Sequence, residues 1–238
     1  MTTKAGNVGL PPGRPYLTVD SSVIATRLAV DVVSDVVCPW CYIGKRKLEQ
    51  ALSELRVREP GIEVAVRWHP FQLNPDLPAE GIPRSAYLDA KFGGGQRAAE
   101  IYARVRAVGE SVGIAFDFER IELQPNTQTA HRLIAWAQQA ADAEALVERL
   151  FRAYFIEGRF LGDAGELATL AEEAGLARDA AQALLASDRL RAEVDAEYRE
   201  AQEAGITGVP FFIFNGRTAV SGAHDPQTLL EAIAAARA

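Results

Sequence analysis

A chain of 238 residues that is 48% hydrophobic has enough apolar material for one folded unit or two lobes, and its composition excludes a largely disordered chain. A formal net charge of −7 argues against a nucleic-acid surface, and the basic triplet Lys45-Arg46-Lys47 reads as a solvated helix face. No apolar run approaches membrane-spanning length, so neither nucleic acid nor membrane is an expected partner.

Residues 1–24 carry Pro11-Pro12-Gly13 and Pro15 without apolar periodicity and read as a mobile leader outside the fold. They lack the continuous apolar core of a secretory signal, and the expected location is cytoplasmic. From Leu28 to Val33 the chain is rich in β-branched residues and closes on Ser34-Asp35, the pattern of a short buried strand. Beyond Tyr42-Ile43-Gly44, residues Leu48, Leu52 and Leu55 recur at helical spacing. Between strand and helix stands Cys38-Pro39-Trp40-Cys41, which holds the only two cysteines of the chain.

That position has a chemical consequence. A helix start presents unpaired N–H groups and the positive end of the helix dipole, and both favour a thiolate over a thiol. Cys38 is therefore the expected nucleophile, and Cys41, one turn further in, the more buried resolving thiol. Pro39 suits the first helical turn, where it has no N–H to lose. A zinc site would need four ligands, and His69, His131 and His224 stand without finger spacing, so no metal is expected. Asp31 and Asp35 are the carboxylates nearest the dithiol in sequence. Asp35 is a candidate for proton transfer with Cys41, although Ser34-Asp35 also reads as solvated turn chemistry.

Pro60-Gly61 precedes an alternating second strand over 62–68, and strand, helix and strand make a right-handed unit with parallel strands. His69 reads as a histidine satisfied at a strand end rather than a proton shuttle. From 76 to 204 the sequence is alanine-rich, with helices expected over 96–109, 127–141, 143–156, 164–174, 178–186 and 188–204. An extended stretch is expected over 114–118. Asn126 or Thr127 is the N-cap of the helix that follows. Phe151, Tyr154 and Phe155 form a core stripe, while Phe92, Phe116 and Phe118 are candidates to line a cleft. Asn215-Gly216 between two apolar runs signals a hairpin, and a helix over 228–236 closes the chain. The order is that of an α/β chain. It reads as a thioredoxin-like fold in two parts, 25–75 and 205–238, with a helical domain over 76–204 inserted between them.

Several blocks resemble one known family: Ser34-Asp35-Val36-Val37-Cys38-Pro39-Trp40-Cys41-Tyr42-Ile43-Gly44, Phe71-Gln72-Leu73-Asn74-Pro75, Asn126-Thr127 with Ala130-His131-Arg132-Leu133, Ala153-Tyr154-Phe155, Gly208-Val209-Pro210-Phe211-Phe212 and Ser221-Gly222-Ala223. They are similar to the DsbA-like thioredoxin superfamily, and within it to the FrnE-type disulfide oxidoreductases. The resemblance implies thiol–disulfide exchange at Cys38 with Cys41 resolving, and a catalytic Pro210 joined to Val209 by a cis bond facing the dithiol. A proline there leaves the Val209 backbone free to pair with an extended substrate. Pro39, Trp40, Val209 and Asn126 are the substrate contacts it implies. No cofactor is implied; the partners are thiol or disulfide substrates, with glutathione a further candidate.

Glutathione-dependent isomerases of the 2-hydroxychromene-2-carboxylate type and kappa-class glutathione transferases are similar too, but carry serine where this chain has Cys38. That isomerase or transferase activity is the alternative reading, and a non-enzymatic thioredoxin-fold chaperone or binding module is the second. Pro-Trp between the cysteines lacks the histidine that would add positive charge beside the thiolate. The expected couple therefore lies nearer thioredoxin's roughly −270 mV than DsbA's about −120 mV.

Overall fold

A computed structural model describes residues 27–140 and 142–238, and the expected leader over 1–24 lies outside them. Strand β1 (Arg27–Ser34) is buried from Leu28 onward, which is why it reads as a continuous apolar run rather than an alternating one. The chain turns through Asp35 into α1 (Pro39–Arg58) and returns as β2 (Glu63–Pro70), parallel to β1 with Leu28 opposite Val64 and Ser34 opposite Pro70. Near the C-terminus β5 (Phe211–Phe214) and β6 (Thr218–Ser221) form the expected hairpin. In its three-residue loop Asn215 and Gly216 both adopt positive φ, and the Arg217 amide closes the turn on Phe214 O at 2.9 Å. Asn215 Oδ1 also accepts from the Ala29 amide at 2.9 Å, which ties the turn to β1. The four strands lie in the order β2-β1-β5-β6.

The two faces of this sheet bury different partners. Leu28, Val30, Val32, Phe212 and Phe214 join the core that holds Leu48 and Leu52 of α1 and Leu229 and Ile233 of α9 (Pro226–Arg237). Val33, Phe211 and Ile213 face the other way, against Ala201 of α8 (Arg191–Glu203) and Ile206. Helix α8 thus covers the sheet's second face, although the expected boundary at 204 assigns it to the insertion. It starts at Arg191 rather than at 188 because Leu190 sits at φ 64, a left-handed conformation that no helix continues through.

Between the two parts of the sheet lie β3 (Ile82–Pro83), α2 (Arg84–Phe92), α3 (Gly95–Ser111), β4 (Leu123–Gln124), α4 (Gln128–Ala137), α5 (Glu144–Phe155), α6 (Ala164–Glu173) and α7 (Arg178–Leu185). Helix α2 is not foreseen by the periodicity. Residues 114–117, where an extended stretch is expected, join no sheet and lead into a single 3-10 turn at Phe118–Arg120, followed by β4 pairing with β3. Phe116 and Phe118 are buried with their rings stacked 4.9 Å apart, and the Phe92 ring meets Tyr102 edge-on at 5.8 Å. Phe151, Tyr154 and Phe155 are fully buried core, as their helical spacing suggests. Among the described residues no helix is long and apolar enough to cross a membrane.

Candidate active site

The dithiol sits where strand β1 hands the chain to helix α1. Cys38 is the N-cap of α1 with extended backbone angles, and Pro39 occupies the first helical turn. The Cys38 amide donates to Asp35 O, while Cys38 O accepts from the Cys41 amide at 3.0 Å, so one tight turn fixes both cysteines. Cys38 is 5% exposed and Cys41 only 1%. Burial pushes the Cys41 thiol well above its usual range, and the neighbouring Cys38 adds to the rise, outweighing the opposing effects of the Ser34 side chain and the Asp35 backbone. Beside them Trp40 stands 39% exposed, one of the few large apolar side chains that faces solvent.

The second wall comes from the chain entering β5. The Val209–Pro210 peptide bond is cis, and the Cys38 thiol donates to Val209 O at 3.6 Å. Pro210 is buried against α1 at Gly44, where a Cβ would stand 2.8 Å from Pro210 Cγ and 3.1 Å from Phe212 Cζ. Glycine is what lets the helix approach this closely. Pro210 O in turn accepts from the Gly222 amide at 2.8 Å, which anchors the segment to the end of β6.

A family model described as a DSBA-like thioredoxin domain matches residues 29–234. The chain belongs to the DsbA-like thioredoxin family. Its similarity to a probable DsbA oxidoreductase from Streptomyces coelicolor reaches 32% identity with a TM-score of 0.79, over 88% of this chain and 89% of the other. The uncharacterized protein YwbO from Bacillus subtilis (strain 168) is 29% identical over 86% of this chain and 94% of its own. A 2-hydroxychromene-2-carboxylate isomerase shares the fold at 19% identity and a TM-score of 0.62, over 87% of this chain and 94% of the other.

In this DsbA-like site Asp35 is not at a solvated surface but fully buried. Its Oδ2 accepts from the Leu73 amide at 2.8 Å, and its Oδ1 has no hydrogen-bond partner among the described residues, with His131 Nε2 standing 3.5 Å away. His131 Nε2 itself donates to Phe71 O at 3.0 Å, so the block 71–73 is held by both side chains. Asn126 spends its amide on Pro75 O and Leu77 O and caps the Gln128 amide with Oδ1, which makes it a clamp on the same loop. His69 is satisfied as expected, between Asp31 Oδ1 at 2.8 Å and Glu197 Oε2 at 3.1 Å.

The basic triplet is the clearest departure from the sequence reading. Lys45 is 2% exposed and is enclosed by Glu49, by Glu144 at 2.6 Å and by Glu148 at 3.1 Å. Arg46 pairs with Glu49 and Glu148, and Lys47 reaches Asp225 at 2.7 Å. The signal was present: Lys45 lies four residues after Cys41 and three before Leu48, on the apolar stripe of α1 rather than on its solvent face.

Proposed function

We propose that the chain is a thiol–disulfide oxidoreductase of the FrnE type working through Cys38-Pro39-Trp40-Cys41. The observation that carries the reading is the placement of Cys38 at the cap of α1, opposite the Val209 carbonyl, with Cys41 buried one turn behind it. The Cys38 thiolate attacks one sulfur of a substrate disulfide, the S–S bond breaks, and the other substrate sulfur departs as a thiolate. Cys41 then loses its proton and attacks Cys38 Sγ, which releases the second substrate thiol and leaves the protein disulfide; the substrate is reduced and the dithiol oxidised, and the reverse sequence oxidises a substrate.

A raised thiol at Cys41 suits this order, because it keeps the resolving group protonated until the mixed disulfide exists. Asp35 is the residue we assign to accept that proton, since it is a buried carboxylate in the loop that carries Cys41's contacts. Trp40 offers an exposed aromatic face to a protein substrate, and the backbone of Val209 an edge for an extended one.

Trapping separates the roles of the sulfurs. Cys41→Ser keeps the nucleophile and removes its escape route, so mixed disulfides should accumulate on a non-reducing gel, while Cys38→Ser should trap almost none. Equal trapping by both variants would refute the assignment. Glutathione-dependent isomerisation without insulin reduction would move the chain to the isomerase reading.

A further inference from the structure

A cavity of about 820 Å³ runs along the outer side of β2, between α1 and α8 and below the end of α4. None of Cys38, Cys41, Val209 or Pro210 lines it. Its volume falls in the range of ligand sites, and its floor is apolar through Leu48, Leu52, Val64 and Val66.

The floor is also the edge of a sheet. Among the described residues β2 pairs with β1 alone, so its other side presents backbone groups to the cavity. Gln138 shows which groups these are: the Trp68 amide donates to Gln138 Oε1 at 2.6 Å, and Gln138 Nε2 donates to Trp68 O at 3.0 Å. The carboxamide thus stands where the first peptide unit of a neighbouring strand would stand. Because backbone direction alternates along a strand, Val66 and Val64 turn their N–H and C=O the same way, into the cleft.

We infer that this cleft is a second binding site, which takes an extended peptide as an added strand on β2 and prefers one carrying a basic residue. A row of donor and acceptor pairs spaced two residues apart recognises a peptide backbone, and alternate side chains of the added strand reach the apolar floor. Charge chooses among peptides. Five carboxylates and three cations line the cleft, and Lys45 is already enclosed by Glu49, Glu144 and Glu148. Asp142 Oδ1 accepts from the Glu144 amide at 3.2 Å, and Arg56 and Arg67 also line the cleft, so what selects is the net excess of two carboxylates, which attracts a lysine or arginine of the ligand and repels a phosphorylated or acidic one. Gln138 ends the added strand at Trp68, so the site holds a segment of only a few residues.

The test uses fluorescence polarisation of a fluorescein-labelled Lys-Val-Thr-Val-Lys amide against the full chain. Saturable binding is expected, weakened about tenfold or more when alternate peptide amides are N-methylated, and likewise when both lysines are replaced by glutamate. Ala65→Trp, at an exposed position lining the cleft, should fill it, and Glu193→Arg should reverse its charge; both should lose the peptide about tenfold while insulin reduction is unchanged. The chain carrying Cys38→Ser and Cys41→Ser together should bind the peptide as the wild type does, which keeps this site separate from the redox reading. No binding at about 1 mM peptide, equal binding of the N-methylated peptide, or loss of binding in the double cysteine variant would overturn the inference.

Discussion

One turn of helix separates a capping position from an interior one, and in the mechanism we propose that difference divides the work between two chemically identical side chains. Cys38 caps the helix with the Val209 carbonyl beside its thiol; Cys41 lies one turn deeper in the same apolar core and is the more buried of the two. The cost of ionising Cys41 in that core makes a nearby base matter, and Asp35 is the buried carboxylate on the loop between β1 and α1. Asp35→Asn keeps the shape and removes the base, so decay of the mixed disulfide should slow about 100-fold and become steeper with pH, while the first attack by Cys38 keeps its rate. Rapid-quench measurement of both steps checks this, and an unchanged pH profile of the second step would sink the assignment. That the cysteines and the Val209-Pro210 segment meet was legible from the blocks that carry them. The burial of Asp35 was not, because a Ser-Asp pair at a strand end reads as turn chemistry until the loop 71–73 is known to close over it.

Elements meet at the site with little room between them. Helix α1 can lie against Pro210 only because position 44 has no Cβ, so Gly44→Ala sets helix propensity against packing. Propensity alone would stabilise α1 by about 1 kcal/mol, whereas overpacking against a buried proline costs about 1–3 kcal/mol. We expect a net loss in denaturant unfolding and a matching fall in insulin reduction, since the helix carries both sulfurs; a more stable variant of full activity would show that α1 yields freely. A second junction, His69 between Asp31 of β1 and Glu197 of α8, ties the sheet to the helix on its second face. Burial pulls the His69 pKa down, but its hydrogen bonds and charges with Asp31 and Glu197 outweigh this and leave it raised. The folded chain therefore holds that proton more tightly than the unfolded one, so the contribution is complete below the unfolded value of about 6.5 and is lost as pH rises through the folded value. Comparing wild type with His69→Gln by urea unfolding across this range should show a gap that narrows as pH rises, and a gap that widens would contradict it. Long periodic helices and the Asn-Gly hairpin could be read from sequence because each encodes its own geometry. Helix α2, nine residues with glycine and proline at its ends, could not, and its place is fixed by tertiary packing.

At the scale of the whole molecule the sheet and the helical lobe share one continuous apolar core, from Leu28 of β1 through Phe155 of α5 to Leu184 of α7. Sequence order suggested two units, since the insertion separates the strands, but order along the chain does not show that the same side chains bury both. Lys45 crosses the seam between them, from α1 to Glu144 and Glu148 of α5, so a charge on the redox helix helps to fix the lobe above it. A shared core should give one cooperative thermal transition, with calorimetric and van't Hoff enthalpies in agreement. Lys45→Met should lower stability by about 1–3 kcal/mol, and the midpoint with it, without splitting that transition, because the methionine fills the space but leaves Glu49 and Glu148 with Arg46 as their one shared cation and Glu144 without Lys45. The pH dependence identifies the cause. Burial raises the Glu49 pKa, but its hydrogen bonds and charges with Lys45 and Arg46 outweigh this and hold it below the usual carboxylate range. Its contribution is therefore present above the unfolded value of about 4.3 and is lost as pH falls through the folded one. The difference between wild type and Lys45→Met should accordingly shrink as pH is lowered from neutral toward about 3. A difference that stays constant over that range would mean that the lysine acts by packing alone, and two separate transitions would mean that the lobes fold independently of the seam.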